Sequence, residues 1–183
     1  MMKICSCIYL SLTLLLESSG NTPSNTKAPF KLTETISSSV LKIISTNPSY
    51  VPEKKQLDDI KVFLAKLYKT ENTEYVLTEA VEFVDQGGNF ESVTCNLCGH
   101  NINIESWQNE LDKASEKHFT DLIFITPCCK RKTSLNDLIY KSPAGFAKFV
   151  INISDPKKEL TETELKKLQN IAGTKLRVVW AHY

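Results

Sequence analysis

The chain has 183 residues, 42% of them hydrophobic and 23% charged, with 22 basic side chains against 21 acidic ones. That length fits one compact domain with an appendage, and that composition excludes a wholly disordered, collagen-like or coiled-coil chain. A net charge of +1 removes the simplest argument for a nucleic-acid binder. The charge is unevenly spread, however: residues 1–50 sum to +2, residues 51–129 to −7 and residues 130–183 to +6. The acidic middle and basic end are expected to compensate each other within one fold, the alternative being a basic face offered to an anionic partner.

In chain order, Lys3 is followed by an uncharged apolar run from Ile4 to Leu16. The run is too short for a membrane-crossing helix, which needs about 20 residues, and no transmembrane span is expected. It has the form of the apolar part of a secretory signal over residues 3–20; a buried or unstructured extension is the alternative. Asn21 to Lys31, with Pro23 and Pro29, reads as a linker. Residues 1–35 are therefore read as leader and linker, and residues 36–183 as a single domain.

Ile36 to Ser45 is β-branched and strand-like, closed by Asn47-Pro48. Pro52 and Glu53 open a helix of about 16 residues whose inner face carries Leu57, Ile60, Phe63, Leu64 and Leu67. Glu79 to Val84 reads as a strand, Asp85 to Asn89 as a turn, and Phe90 to Thr94 as a returning strand. Trp107, Leu111, Ala114 and His118 share one helical face. Phe119 to Thr126 contains LIFI and reads as a buried strand, while Ala147 to Ile153 alternates as a strand with one wet face. Thr161 and Glu164 form a capping box, Leu160 and Leu165 occupy the staple positions, and Gly173 supplies the stop. Leu176 to Tyr183 alternates again. Strands outnumber helices and the two are mixed, which gives an α+β class with a largely antiparallel sheet and two to three helices.

Four of the six cysteines carry the chemistry. Cys95-Asn96-Leu97-Cys98-Gly99 offers two thiols one tight turn apart, and Cys128-Cys129 follow a predicted strand. Two such loops meeting would present four sulfurs to one Zn²⁺, which takes thiolates tetrahedrally at about 2.3 Å and leaves no open position for catalysis. The expected role is one structural zinc; disulfides or unrelated buried thiols are the alternatives. A second C-x-x-C would need a cysteine where Thr126 stands, so Cys128 has to serve instead, and adjacent residues reach one ion only if the backbone turns sharply between them. His100 is the reserve ligand, though an exposed role fits it better. The residues exclude a zinc deaminase, because no H-x-E precedes the Pro127-Cys128-Cys129 run. His118 and His182 read as structural histidines, and no catalytic residue is assigned.

The segments QGGNFESVTCNLCG, FTDLIFITPCC, TSLNDLIYKSPAGFAKFVINI and LRVVWAHY together resemble a group of bacterial, zinc-ribbon-like proteins of similar size, over about Tyr50 to Tyr183. The resemblance implies ribbon-type cysteines at Cys95, Cys98 and Cys129, with Cys128 alongside, and a ribbon unit over about residues 90–135; it implies no activity. Gly145 before Phe146 points to a close backbone approach with an aromatic laid over it, and Asn136 and Asp137 are read as capping a turn. The reading is a non-catalytic zinc-binding module serving an unidentified protein partner. Nucleic-acid binding through Lys130, Arg131, Lys132 and Lys141, or a thiol-based enzyme using Cys95 or Cys98, are the alternatives. Zinc thiolates favour the cytoplasm, against the signal-like start, which would favour export.

Overall fold

The computed structural model describes residues 38–183, so the leader, the linker, Cys5 and Cys7 lie outside the described residues. The principal sheet contains β1 (Ser39–Ser45), β2 (Thr73–Val84), β8 (Gly145–Ser154) and β9 (Leu176–His182). Between β2 and β8 the chain forms β3 (Val93–Thr94), β4 (Asn101–Ile102), α2 (Ile104–Ser115), β5 (Ile123–Ile125), β6 (Lys132–Ser134) and β7 (Ile139–Tyr140). Helices α1 (Lys54–Leu64) and α3 (Glu162–Ala172) complete the fold. This is the α+β class with antiparallel pairing throughout the three sheets.

The order in the principal sheet is β2-β8-β1-β9. Counting only its own strands, the connectivity is βαββαβ, and strands 1 and 3 occupy the centre. That is the split βαβ, or ferredoxin-like, arrangement, with residues 85–144 inserted in the hairpin between its second and third strands. Each α-helix crosses over one intervening strand, so both pack on the same face. Leu41, Ile43, Phe149, Ile151 and Ile153 from the sheet meet Ile60 and Leu64 of α1 and Leu168 and Ala172 of α3. Each of the leucines, isoleucines and Phe149 among them contributes about 1.5–3 kcal/mol by leaving water.

Local chemistry fixes both helices. At α3, Thr161 accepts from the Glu164 amide while Glu164 accepts from the Thr161 amide, and Gly173 ends the helix at φ 66°. At α1, Gln56 Oε1 accepts from the Glu53 amide at 2.8 Å. The α1 helix is shorter than expected: its last residues, Ala65 to Leu67, tighten into turns bonded to Lys61, Phe63 and Leu64.

Three further expectations change. First, β2 starts at Thr73 and holds a bulge where Leu77 pairs with Phe149 but Glu82 with Ala147; Thr78 bridges the gap by donating to Ala80 and Lys148 carbonyls. Second, Asp85 to Asn89 does not return the chain alongside β2. It crosses to the free edge of β9, where the Gly88 amide donates to His182 O at 2.8 Å and Asn89 Nδ2 to Trp180 O at 3.0 Å. Asp85 anchors this strap, accepting from the Gly87 amide and the Tyr183 hydroxyl and pairing with Lys42. Burial opposes its charge, but those donors outweigh it and hold the carboxyl below its ordinary value. Third, only Ile123–Ile125 of the LIFI stretch is strand, and Ile123 and Ile125 face solvent. The hairpin β5–β6 has just two strands, so one face of β5 lacks a covering layer.

His118 also leaves its expected place. The α2 helix ends in a Schellman turn, with the Phe119 amide on Ala114 O and the His118 amide on Ser115 O. His118 and Phe119 take left-handed φ values of 51° and 52°, and His118 is exposed. Periodicity carried past the helix end, because no glycine marks the stop.

Candidate metal centre

The centre sits on two hairpins with the same backbone design. In the first, β3 and β4 pair Val93 with Ile102 and Thr94 with Asn101. In the second, β5 and β6 pair Phe124 with Thr133 and Ile125 with Lys132. Each residue of these two pairs in the second hairpin stands 31 positions after its counterpart in the first, as 124 does after 93 and 133 after 102. The loops repeat each other bond for bond. The Cys95 amide donates to His100 O at 2.9 Å and Gly99 to Cys95 O at 2.9 Å; the Thr126 amide donates to Arg131 O at 3.0 Å and Lys130 to Thr126 O at 3.0 Å. Gly99 has φ 75° and its counterpart Lys130 φ 56°.

The equivalence explains the unusual doublet. Cys98 matches Cys129, and Cys95 matches Thr126, both of which are fully buried. The second loop therefore has a threonine at the first ligand position. Its Oγ1 lies 3.1 Å from Cys129 Sγ and donates to Arg131 O. The fourth sulfur comes from Cys128, which matches Leu97, at the crest of the loop, where the chain turns sharply enough to aim two consecutive side chains inward.

All four sulfurs, those of Cys95, Cys98, Cys128 and Cys129, lie within 4.8 Å of one another. Cys95 Sγ is 3.9 Å from Cys129 Sγ and Cys98 Sγ 3.4 Å from Cys128 Sγ. A tetrahedron of thiolates around zinc has edges of about 3.8 Å, whereas a disulfide needs about 2.05 Å; all four thiols are free. The donor set and its spacing thus fit a metal ion. His100 does not join the group: it is exposed and lends only its backbone, the carbonyl to Cys95 and the amide to Cys98.

Donors around the sulfurs set their charge. The Thr126 hydroxyl, then Arg131, pulls the Cys129 thiol down to about 6. Cys95 is buried, yet the amides of Leu97 and Cys98 bring its pKa below the ordinary thiol value. The His100 amide favours the Cys98 thiolate, but burial and the neighbouring thiols outweigh it and push Cys98 up to about 12. Arg131 also clasps the two loops, its Nη2 donating to Leu97 O and its Nε to Cys129 Sγ at 3.5 Å. Thr133 Oγ1 adds a second link, to Asn96 Oδ1 at 2.9 Å. Contacts of this kind are what orient the ligands in metal sites.

An aromatic core holds the hairpins to the sheet. Trp107 stacks on Phe90 and meets Phe83 edge-on, and its Nε1 donates to the Tyr140 hydroxyl, which in turn donates to Leu135 O. Arg177 of β9 reaches across to Asn136 O, Asn136 Oδ1 and Ala144 O. Gly145 is the close approach read from the sequence: a Cβ there would lie 2.5 Å from Arg177 Nη1. Asn136 is buried and structural, donating to Thr46 O and accepting from the Phe146 amide.

No family model, curated protein or solved structure matches this chain. The remaining sequence candidates are dispersed. Of the four cations proposed for an anionic partner, Arg131 is engaged at the centre and Lys141 pairs with Glu91. His182 Nδ1 bonds Ser39 Oγ at 2.8 Å. A groove of about 520 Å³ is lined by Glu79, His118, Phe119, Asp121 and Lys148 among others and contains none of the four cysteines. No helix among the described residues is long and apolar enough to cross a membrane. The duplicated loop was hidden in the sequence because C-N-L-C-G-H and T-P-C-C-K-R share one residue; the gapless offset of 31 was the signal.

Proposed function

We propose that this protein is a non-catalytic zinc-binding module in which Cys95, Cys98, Cys128 and Cys129 hold one structural zinc ion and brace a surface for a protein partner. The observation that carries it is the convergence of four sulfurs within 4.8 Å on two equivalent loops. Four thiolates fill a tetrahedral zinc shell and leave no position for water or substrate. The hairpin strands are two or three residues long, well short of what is stable alone, and metal binding supplies folding free energy to such units. The zinc-ribbon resemblance of residues 50–183 points the same way, and the reading carries with it residence in a reducing compartment, where thiolates persist.

Elemental analysis of the purified full chain beside Cys128→Ser and Cys129→Ser variants tests it. One zinc per chain, lost or weakened in both variants, is the expected result. A wild type that neither carries zinc nor takes it up would overturn the proposal.

A further inference from the structure

The four sulfurs are unequal. Cys95 is fully buried and accepts from the Leu97 amide at 3.4 Å. Cys129 is half-buried and held by the Thr126 hydroxyl and Arg131 Nε. Cys98 is half-buried and its sulfur lies 3.4 Å from that of Cys128. Cys128 alone is exposed, and among the described residues no amide, hydroxyl or guanidinium group bonds its sulfur. Donors to a coordinated thiolate stabilise its negative charge and blunt it as a nucleophile, and access decides which sulfur an electrophile reaches first. The asymmetry follows from the displaced ligand: at the first loop position Thr126 is enclosed, whereas the crest that Cys128 occupies faces water.

We propose that Cys128 is an oxidation site through which hydrogen peroxide opens the centre, with Cys98 as the resolving thiol. The Cys128 thiolate attacks one peroxide oxygen; the O–O bond breaks, hydroxide leaves and Cys128 becomes a sulfenic acid. The Cys98 sulfur, 3.4 Å away, then attacks the Cys128 sulfur and expels a second hydroxide as the S–S bond forms. The two thiolates lose two electrons in total, the peroxide gains them, and two protons from solvent convert both hydroxides to water. Forming the disulfide would remove Cys98 and Cys128 from the set of four sulfurs and leave Cys95 and Cys129 to hold a zinc ion, too few to retain it. A thiol reductant closes the cycle by thiol–disulfide exchange. The inference rests on the zinc reading and adds to it a direction of attack.

The test uses zinc-loaded full chain carrying Cys5→Ser and Cys7→Ser, hydrogen peroxide as the probe, a chromophoric chelator to time zinc release, and peptide mapping of early products. One zinc is expected to appear per Cys98–Cys128 disulfide, while Cys95 and Cys129 stay reduced, and dithiothreitol with added zinc restores the centre. A first disulfide or sulfenic acid at another position, or zinc loss ahead of any change at Cys128, overturns the inference while leaving the zinc reading intact. A protein that never held zinc overturns the zinc reading instead. A Thr126→Cys/Cys128→Ser variant moves the fourth sulfur into the enclosed position. Zinc release from it should slow by about 10–100-fold, the range that surroundings exert on metal sites; an unchanged rate would count against the inference. If that variant does not fold, limited N-ethylmaleimide on the loaded parent protein decides, since alkylation must then begin at Cys128.

Discussion

Gly145 gives the sharpest test of how the sheet carries the cysteine-bearing insertion. A Cβ at this position would meet Arg177 Nη1 at 2.5 Å and Ile44 Cδ1 at 2.8 Å, both closer than packed atoms approach. Ile44 is enclosed, so Arg177 must move in a Gly145→Ala variant. Its Nη1 bonds to Ala144 O at 2.6 Å and Asn136 Oδ1 at 3.3 Å would break, while the Nη2 bond to Asn136 O at 3.0 Å would distort. Burial lowers the Arg177 pKa, but a guanidinium remains charged and dislikes losing its acceptors. The short bond to Ala144 O carries most of the loss, the 3.3 Å contact being weak: one charge-assisted bond is worth about 1.5–3 kcal/mol, and alanine recovers about 0.5–1 kcal/mol of glycine's entropy cost. The net loss is therefore about 2 kcal/mol, or roughly 4–8 °C in melting temperature for a domain of this size. Urea unfolding of the zinc-loaded protein at constant m-value measures it. An Arg177→Ala background should remove at least about 1 kcal/mol of the penalty, a coupling in the range seen for touching residues. A penalty below about 0.5 kcal/mol, within the range of ordinary surface substitutions, or one unchanged by Arg177→Ala, would refute the argument.

Arg131→Ala should weaken zinc binding by about 10–100-fold, as outer-sphere losses do, in a chelator competition; Arg131→Lys should recover only part, since lysine lacks the fork that reaches both loops. Chelation of the metal should abolish hydrogen-exchange protection in β3–β6 first and leave β1 and β8 protected longest, because the latter lie in the larger core. Glu164 is held down to about 2 by Lys158 and then the Thr161 amide, against an ordinary value of 4.5. A depressed pKa contributes stability that is present above pH 4.5 and lost as pH falls toward 2. Glu164→Gln should therefore lie below wild type at pH 6 and converge with it near pH 2, read as urea midpoints; parallel curves would refute it. Gly87→Ala should cost more than Gly88→Ala, since only Gly87 combines φ 57° with a Cβ 2.3 Å from His182 O, and thermal melts would show the order.

What the sequence disclosed was local. The α3 capping box, Gly173 and the Gly145–Phe146 approach depend on residues within a few positions of one another, and each was readable from chemistry alone. The four cysteines were readable too, because thiols in such spacing have few other uses. Non-local features stayed hidden. Pairing β2 with β8 and β1 with β9 depends on contacts more than a hundred residues apart in places, for which alternation gives a face but no partner. The strap from Asp85 to Asn89 carries every mark of a hairpin turn, and only its contacts with Lys42 and with Trp180, His182 and Tyr183 of the far edge reveal its destination. Thr126 was recognised as standing where a ligand was expected, but the backbone repeat that makes it a ligand position emerges only from hydrogen bonds.

The insertion between β2 and β8 also bears on how the chain finds its fold. Val84 and Gly145 are partners in the ladder, so closing that hairpin with an unstructured insertion means bringing together the ends of a long loop. By the logarithmic law for loop closure, shrinking roughly 60 free residues to the equivalent of a tight turn saves about 2 kcal/mol. A metal-folded insertion delivers both strand ends at neighbouring points and makes a distant pairing local. Since residues 85–144 leave the ribosome before α3 and β9, the proposed zinc, bound during synthesis, would let the ferredoxin-like sheet assemble faster behind it.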